Sequence, residues 1–225
     1  MENLQFTKKS VLFALIGVLL FSLPVACGDD EPNGSGDSQT AIGVTINGIK
    51  WATRNVDKPG RFAREPEDAG MFYKWNSKKA YPSTGDVTDW DTTNSEGDIW
   101  EKANDPCPAG WRIPTYEEID KLFNADKVSN ELATINSING RKFTDNATDT
   151  SLFLPAAGYR SNNGGMLNGA GSEGGYWSSD SREAPCITGF PCPTIFNSFS
   201  FSIFDGYHFN ISYRISGLTV RCVAK

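Results

Sequence analysis

The sequence predicts an α+β domain that is strand-rich, with one well-capped helix and long loops. Three observations carry that reading. Phe199, Phe201 and Ile203 alternate with serines, and Tyr207, Phe209, Ile211 and Tyr213 alternate with polar residues, the period of two expected of sheet. Thr115 with Glu118 three residues later forms a capping box ahead of Tyr116, Ile119, Leu122 and Phe123, which share one helical face. Gly158 to Gly175 is a glycine-rich stretch of a kind that holds binding sites or is fixed by cross-links.

Taken in order, the chain opens with an address. Lys8 and Lys9 precede the apolar run Val11 to Phe21. Its eleven residues would cover only about 16 Å of a hydrocarbon core about 30 Å thick. Residues 1–26 therefore read as a signal peptide and not a span. Ala26 before Cys27 resembles a bacterial lipobox, in which the cysteine is acylated, although Pro24 stands where Leu is usual. The alternative is ordinary secretory cleavage nearby with Cys27 as an odd thiol. Residues 27–42 are a polar, acidic, flexible tether, and Asp29, Asp30 and Glu31 just after the lipid cysteine resemble the surface-export signal of Bacteroidetes lipoproteins. The expected location is the outer membrane, lipid-anchored and facing outside the cell. Processing leaves 225 − 26 = 199 residues, and because Glu2, Lys8 and Lys9 depart, the formal charge moves from −6 to −7.

The folded domain, 43–225, begins with a hairpin in which Val44-Thr45-Ile46 and Ile49-Lys50-Trp51 flank Asn47-Gly48, the preferred dipeptide of a type I′ turn. Near its end, a three-residue loop Phe204-Asp205-Gly206 pairs Ile203 with Tyr207 and Phe201 with Phe209, uniting the two apolar rows on one face. His208 then faces away from that row. A last strand from Leu218 to Val223 turns Leu218, Val220 and Cys222 to one side.

Lys plus Arg total 21 against 27 for Asp plus Glu, the wrong balance for tracking phosphates, so nucleic acid is not an expected partner. His208 is the only histidine, which excludes metal sites built on several imidazoles. After processing, Cys107, Cys186, Cys192 and Cys222 remain, an even number that in an exported chain favours two disulfides over a zinc site. Three connectivities are possible. The favoured one clamps Cys186 to Cys192 locally and leaves Cys107 to Cys222.

Six strings then occur in one order: Trp51-Ala52-Thr53-Arg54-Asn55-Val56, Gly70-Met71-Phe72-Tyr73-Lys74-Trp75, Cys107-Pro108-Ala109-Gly110-Trp111-Arg112-Ile113-Pro114-Thr115, Leu154-Pro155-Ala156-Ala157-Gly158-Tyr159-Arg160, Gly175-Tyr176-Trp177-Ser178-Ser179 and Gly217-Leu218-Thr219-Val220-Arg221-Cys222-Val223. Together they resemble the Fibrobacter succinogenes major paralogous domain family across residues 43–224. The resemblance implies a C-type-lectin-like fold with a capped helix, two small sheets, a long loop region and chain ends close together. It also supports the Cys107–Cys222 pairing, and it implies no catalytic activity.

Trp51, Trp75, Trp111 and Trp177 lie inside those strings and read as core. Trp90 and Trp100 lie in the acidic stretch Gly85 to Trp100. Two readings are open there: a ring beside carboxylates that stacks on a sugar, or a solvated loop whose tryptophans fold back onto the core. On the first, the ligand contacts are Asp89, Trp90 and Asp91, supported by Asn162 and Asn163. Asp89 and Asp91 have the first spacing of a calcium loop, but Trp100 stands where its final Glu belongs, so no metal or cofactor is expected. The expected function is a non-catalytic, surface-exposed lipoprotein module, monomeric unless assembled into a fibre, that binds an extracellular glycan or surface protein. Two alternatives stand beside it: an accessory or tip component of a surface fibre, and an enzyme like those that make formylglycine, whose corresponding string Arg112-Ile113-Pro114-Thr115 with Glu118 resembles. The enzyme would need reactive paired cysteines.

Overall fold

A computed structural model describes residues 42–180, 196–202 and 206–225. The signal segment, the tether with Cys27, and the Cys186–Cys192 clamp lie outside the described residues. In chain order the strands are β1 (Gly43–Ile46), β2 (Ile49–Ala52), β3 (Phe72–Tyr73), β4 (Ala80–Tyr81) and β5 (Trp111–Arg112). Helix α1 (Tyr116–Asp120) follows, then β6 (Val128–Ile135), β7 (Ile138–Asp145), β8 (Ser151–Pro155), β9 (Tyr159–Arg160) and β10 (Leu167–Asn168). The last strands are β11 (Glu173–Trp177), β12 (Phe196–Ser202), β13 (Gly206–Ser212) and β14 (Val223–Ala224).

The fold is α+β and strand-rich, with one short helix. Its described strands form five small sheets, ordered β1-β2-β14-β5, β6-β7-β8, β11-β12-β13, β9-β10 and β3-β4, where the resemblance implied two. The first sheet joins the ends of the domain, because Val223 pairs with Trp51 on one side and with Arg112 on the other.

The local expectations hold where a few neighbouring residues decide them. Ile46 pairs with Ile49 across a two-residue turn in which Asn47 and Gly48 have φ of 45° and 78°, the type I′ geometry. Thr115 accepts from the Glu118 backbone N–H at 3.2 Å, and Glu118 Oε2 accepts from the Thr115 N–H at 2.9 Å. That carboxylate also takes two bonds from Arg112, at 2.6 and 2.7 Å, tying β5 to α1. Ile119 is the buried residue of α1, and Leu122 is buried in the 3-10 turn Lys121–Phe123 that follows it.

Two expectations are corrected. In the β12–β13 hairpin Phe201 pairs with Tyr207 and Ser202 with Gly206, so the register is two residues from the predicted one. A shift of two preserves which residues share a face, so alternation alone could not detect it. The predicted strand Leu218–Val223 is instead an irregular segment buried on both sides, with Thr219 and Arg221 as inaccessible as Leu218 and Val220. It bridges one element after another: Leu218 to Tyr73 of β3, Thr219 to Tyr176 of β11, then the Val220 and Cys222 carbonyls to the N–H groups of Val56 and Ala52.

Trp51, Trp75 and Trp177 are buried as expected, and Trp111 is half-buried edge-on to Phe62. Trp100 folds back onto the core against Trp75 and Trp177. Cys222 sits in that core and is joined to Cys107, closing 115 residues of sequence.

The long loops owe their shape to buried arginines. Arg160, fully inaccessible, donates to the carbonyls of Pro82, Thr84, Gly85 and Gly165. Arg214 lies 4.4 Å over the Trp75 ring and donates to the Ser95 and Gly97 carbonyls. Irregular backbone needs donors for its carbonyls, and a guanidinium supplies five in one plane. Arg221 donates to Asn55 Oδ1, and burial pulls its pKa down to about 10. All these residues belong to one compact unit, Gln39–Lys225, in whose described part no helix is long and apolar enough to cross a membrane.

Candidate functional site

The two loops singled out by sequence meet. Trp90 packs its ring on Tyr81 at 4.4 Å between centroids, and its other neighbours are Gly165 and Gly217. A Cβ on Gly165, whose φ is +68°, would collide with the indole, so only glycine admits the ring here. Trp90 is thus half-buried packing against loop 161–166, and its Nε1 is buried with no hydrogen bond among the described residues.

The carboxylates beside Trp90 are already engaged. Asp89, on the surface, pairs with Lys79 at 2.7 Å. That hydrogen bond holds its pKa below the ordinary carboxylate value. Asp91 accepts from the buried Lys74 Nζ at 2.7 Å and from the Thr93 N–H and hydroxyl at 2.9 and 2.7 Å. Those bonds, the lysine's first, hold its carboxyl far below the ordinary range. Lys74 Nζ also donates to the Thr93 carbonyl at 2.6 Å, so Lys74 and Asp91 tie the loop to the residue that follows β3. Among the described residues no three His, Cys, Asp or Glu side chains gather as a metal site would need.

The neighbouring face is different. A cleft of about 340 Å³ opens between segment 158–175, which carries β9, β10 and the start of β11, and the end of β13; it is lined by Tyr159, Asn162, Glu173, Ser212, Tyr213 and Ser216, with Gly174 and Leu218 also facing it. Tyr213 stands 58% exposed, where the alternation had placed it with the apolar row of the sheet. The cause is that β13 ends at Ser212, one residue earlier, and the chain then turns through the Ser216 N–H to Tyr213 carbonyl bond. Of the sequence candidates, Asn162 lines this cleft, whereas Asn163 is exposed and contributes its carbonyl to the Ser161 hydroxyl. Tyr159, Glu173 and Tyr213 were missed. The tyrosines could have been suspected only as aromatics flanking glycine- and serine-rich loops, a signal shared by many core residues.

Chemically, the cleft offers two phenol rings, serine hydroxyls, an amide and a carboxylate. Cys222 is held in its disulfide and fully buried. Comparison with known proteins finds no family model that matches the chain, and no curated protein or solved structure significantly similar to it.

Proposed function

We propose that this chain is an exported, lipid-anchored binding module of C-type-lectin-like architecture, displayed on the outer membrane, that holds a glycan through its long loops without catalysis. The observation that carries the reading is the tyrosine-bearing cleft. A sugar presents an apolar C–H face that suits the Tyr213 and Tyr159 rings. Its hydroxyls suit Glu173, Asn162 and the serines. The six ordered strings support the architecture, and the meeting of the domain's two ends in one sheet agrees with it. The acylated Cys27 rests on the resemblance of residues 22–27 to a lipobox. The disulfide-bonded Cys222 weighs against thiol chemistry of the formylglycine kind.

Glycan-array screening of residues 38–225 tests the reading, followed by titration of the best neutral oligosaccharide. Tyr213→Ala and Glu173→Gln should each weaken binding about tenfold, the effect of losing roughly 1.4 kcal/mol. Because Tyr213 is 58% exposed, its variant should melt at nearly the wild-type temperature. Unchanged affinity in both variants would remove the cleft from the argument.

A further inference from the structure

A second cleft, of about 610 Å³, is lined by Arg54, Arg61, Arg64, Phe62, Asp57 and Asp68. That volume lies within the roughly 300–1,000 Å³ usual for small-ligand sites. Three guanidiniums face two carboxylates there, a positive balance within a chain of formal charge −6. Two of the three arginines have a carboxylate at hand. Arg61 donates to Asp57 at 2.6 Å, and Arg64, with its side chain 88% exposed, reaches Glu65 at 3.5 Å.

Arg54 differs. Its Nε is buried, and its guanidinium makes no hydrogen bond or ion pair among the described residues. A permanently charged group with an unmet buried donor is costly unless something supplies an acceptor. The backbone around it is fixed. Val56 bridges to Phe62, the Ala63 N–H bonds the Asn55 carbonyl at 2.8 Å, and Phe62 is seated edge-on against Trp111. Gly70, at φ +68°, lets the opposite wall close, since a Cβ there would strike the Val56 carbonyl.

We propose that this cleft binds an anionic sugar, the uronate unit of an acidic glycan, with Arg54 as the partner of its carboxylate. The lining selects such a ligand because it mixes groups that only donate with groups that only accept. Guanidiniums need an anion, and their planar fork matches a carboxylate. Asp57 Oδ2 accepts from Arg61 and Asp68 Oδ2 from the Glu65 N–H, which leaves each Oδ1 for a hydroxyl donor, and a uronate carries hydroxyls on the same ring where a run of acidic peptide side chains does not. The proposal takes from the previous reading only that the ligand is a glycan, and it uses a separate cleft.

The test titrates the full-length exported protein with a galacturonate oligomer and with a neutral galactose oligomer of equal length. The uronate should bind at least tenfold more tightly, and Arg54→Gln should erase that preference. Should Arg54→Gln fail to fold, Arg64→Gln carries the test, with an expected loss of about threefold at a surface side chain. Lys142→Gln, which removes a cation paired with Glu131 outside the cleft, should leave uronate affinity unchanged. Equal affinity for the two oligomers overturns the proposal, as does a loss in Lys142→Gln equal to that in the arginine variants. Displacement of uronate by equimolar hexaglutamate overturns the glycan assignment. Neutral-sugar binding that is lost in Tyr213→Ala, without any uronate preference, overturns this proposal and leaves the first reading standing.

Discussion

Breaking the Cys107–Cys222 bridge should be the most damaging single change to this domain. The bridge closes a loop of 115 residues. In the chain-entropy relation, a loop of that length removes 2.1 + 1.5R ln n, or about 16 cal/mol/K, from the unfolded chain, which is about 4.8 kcal/mol at 25 °C. The Cα atoms it joins lie 6.1 Å apart, within the usual span of a disulfide. Cys107→Ala/Cys222→Ala should therefore lose about 3–5 kcal/mol. For a chain of this size that is a fall in Tm of about 6–20 °C. Guanidinium denaturation followed by tryptophan fluorescence measures the loss as the midpoint shift multiplied by a common m-value. A loss below about 2 kcal/mol with m unchanged would refute the entropic argument. It would show that the unfolded chain already holds the two segments together.

Two further outcomes concern the helix cap and the Trp90 loop. Burial alone would raise the Glu118 carboxyl, but the paired bonds from Arg112 and the Thr115 N–H outweigh it and leave its pKa below the ordinary value of 4.5. Its stabilisation is thus present above about pH 4.5 and fades as pH falls through the lowered folded value. Glu118→Gln should cost about 1–2 kcal/mol at pH 7, and the gap in Tm from wild type should narrow as the pH is lowered from 5 to 3; a constant gap would contradict it. Gly165→Ala should destabilise by more than 1 kcal/mol, roughly the penalty for an L-residue at positive φ, plus displacement of Trp90. A shifted tryptophan emission should accompany that loss, and a wild-type spectrum and Tm would show that the indole does not rest on this glycine.

How much was legible in the sequence follows from how far each signal reaches. Asn47-Gly48 specifies its turn because the need for two positive φ values is met within the dipeptide. The same logic was available, unread, in Thr134-Ile135-Asn136-Ser137-Ile138, which repeats the pattern Thr45-Ile46-Asn47-Gly48-Ile49. There Asn136 and Ser137 take φ of 47° and 67° and join β6 to β7. The capping box was equally local. Alternation gave the parity of the β12–β13 pairing but not its register, because moving the turn by one position along the chain changes the pairing by two and leaves every residue on its face.

By itself, then, the sequence determined the strand-rich α+β character, the hairpin at the domain's start and the capped helix, since each depends on neighbours within a few positions. Tertiary structure alone decided the rest. Arg54 and Arg160 are the same letter, yet Arg160 lies fully buried beneath carbonyls 75 to 78 positions away, while Arg54 lines an open cleft with its Nε unpartnered among the described residues. Trp90 became packing and Tyr213 became surface for the same reason. Burial of a side chain is settled by which distant backbone arrives beside it, and no periodicity along one segment carries that information.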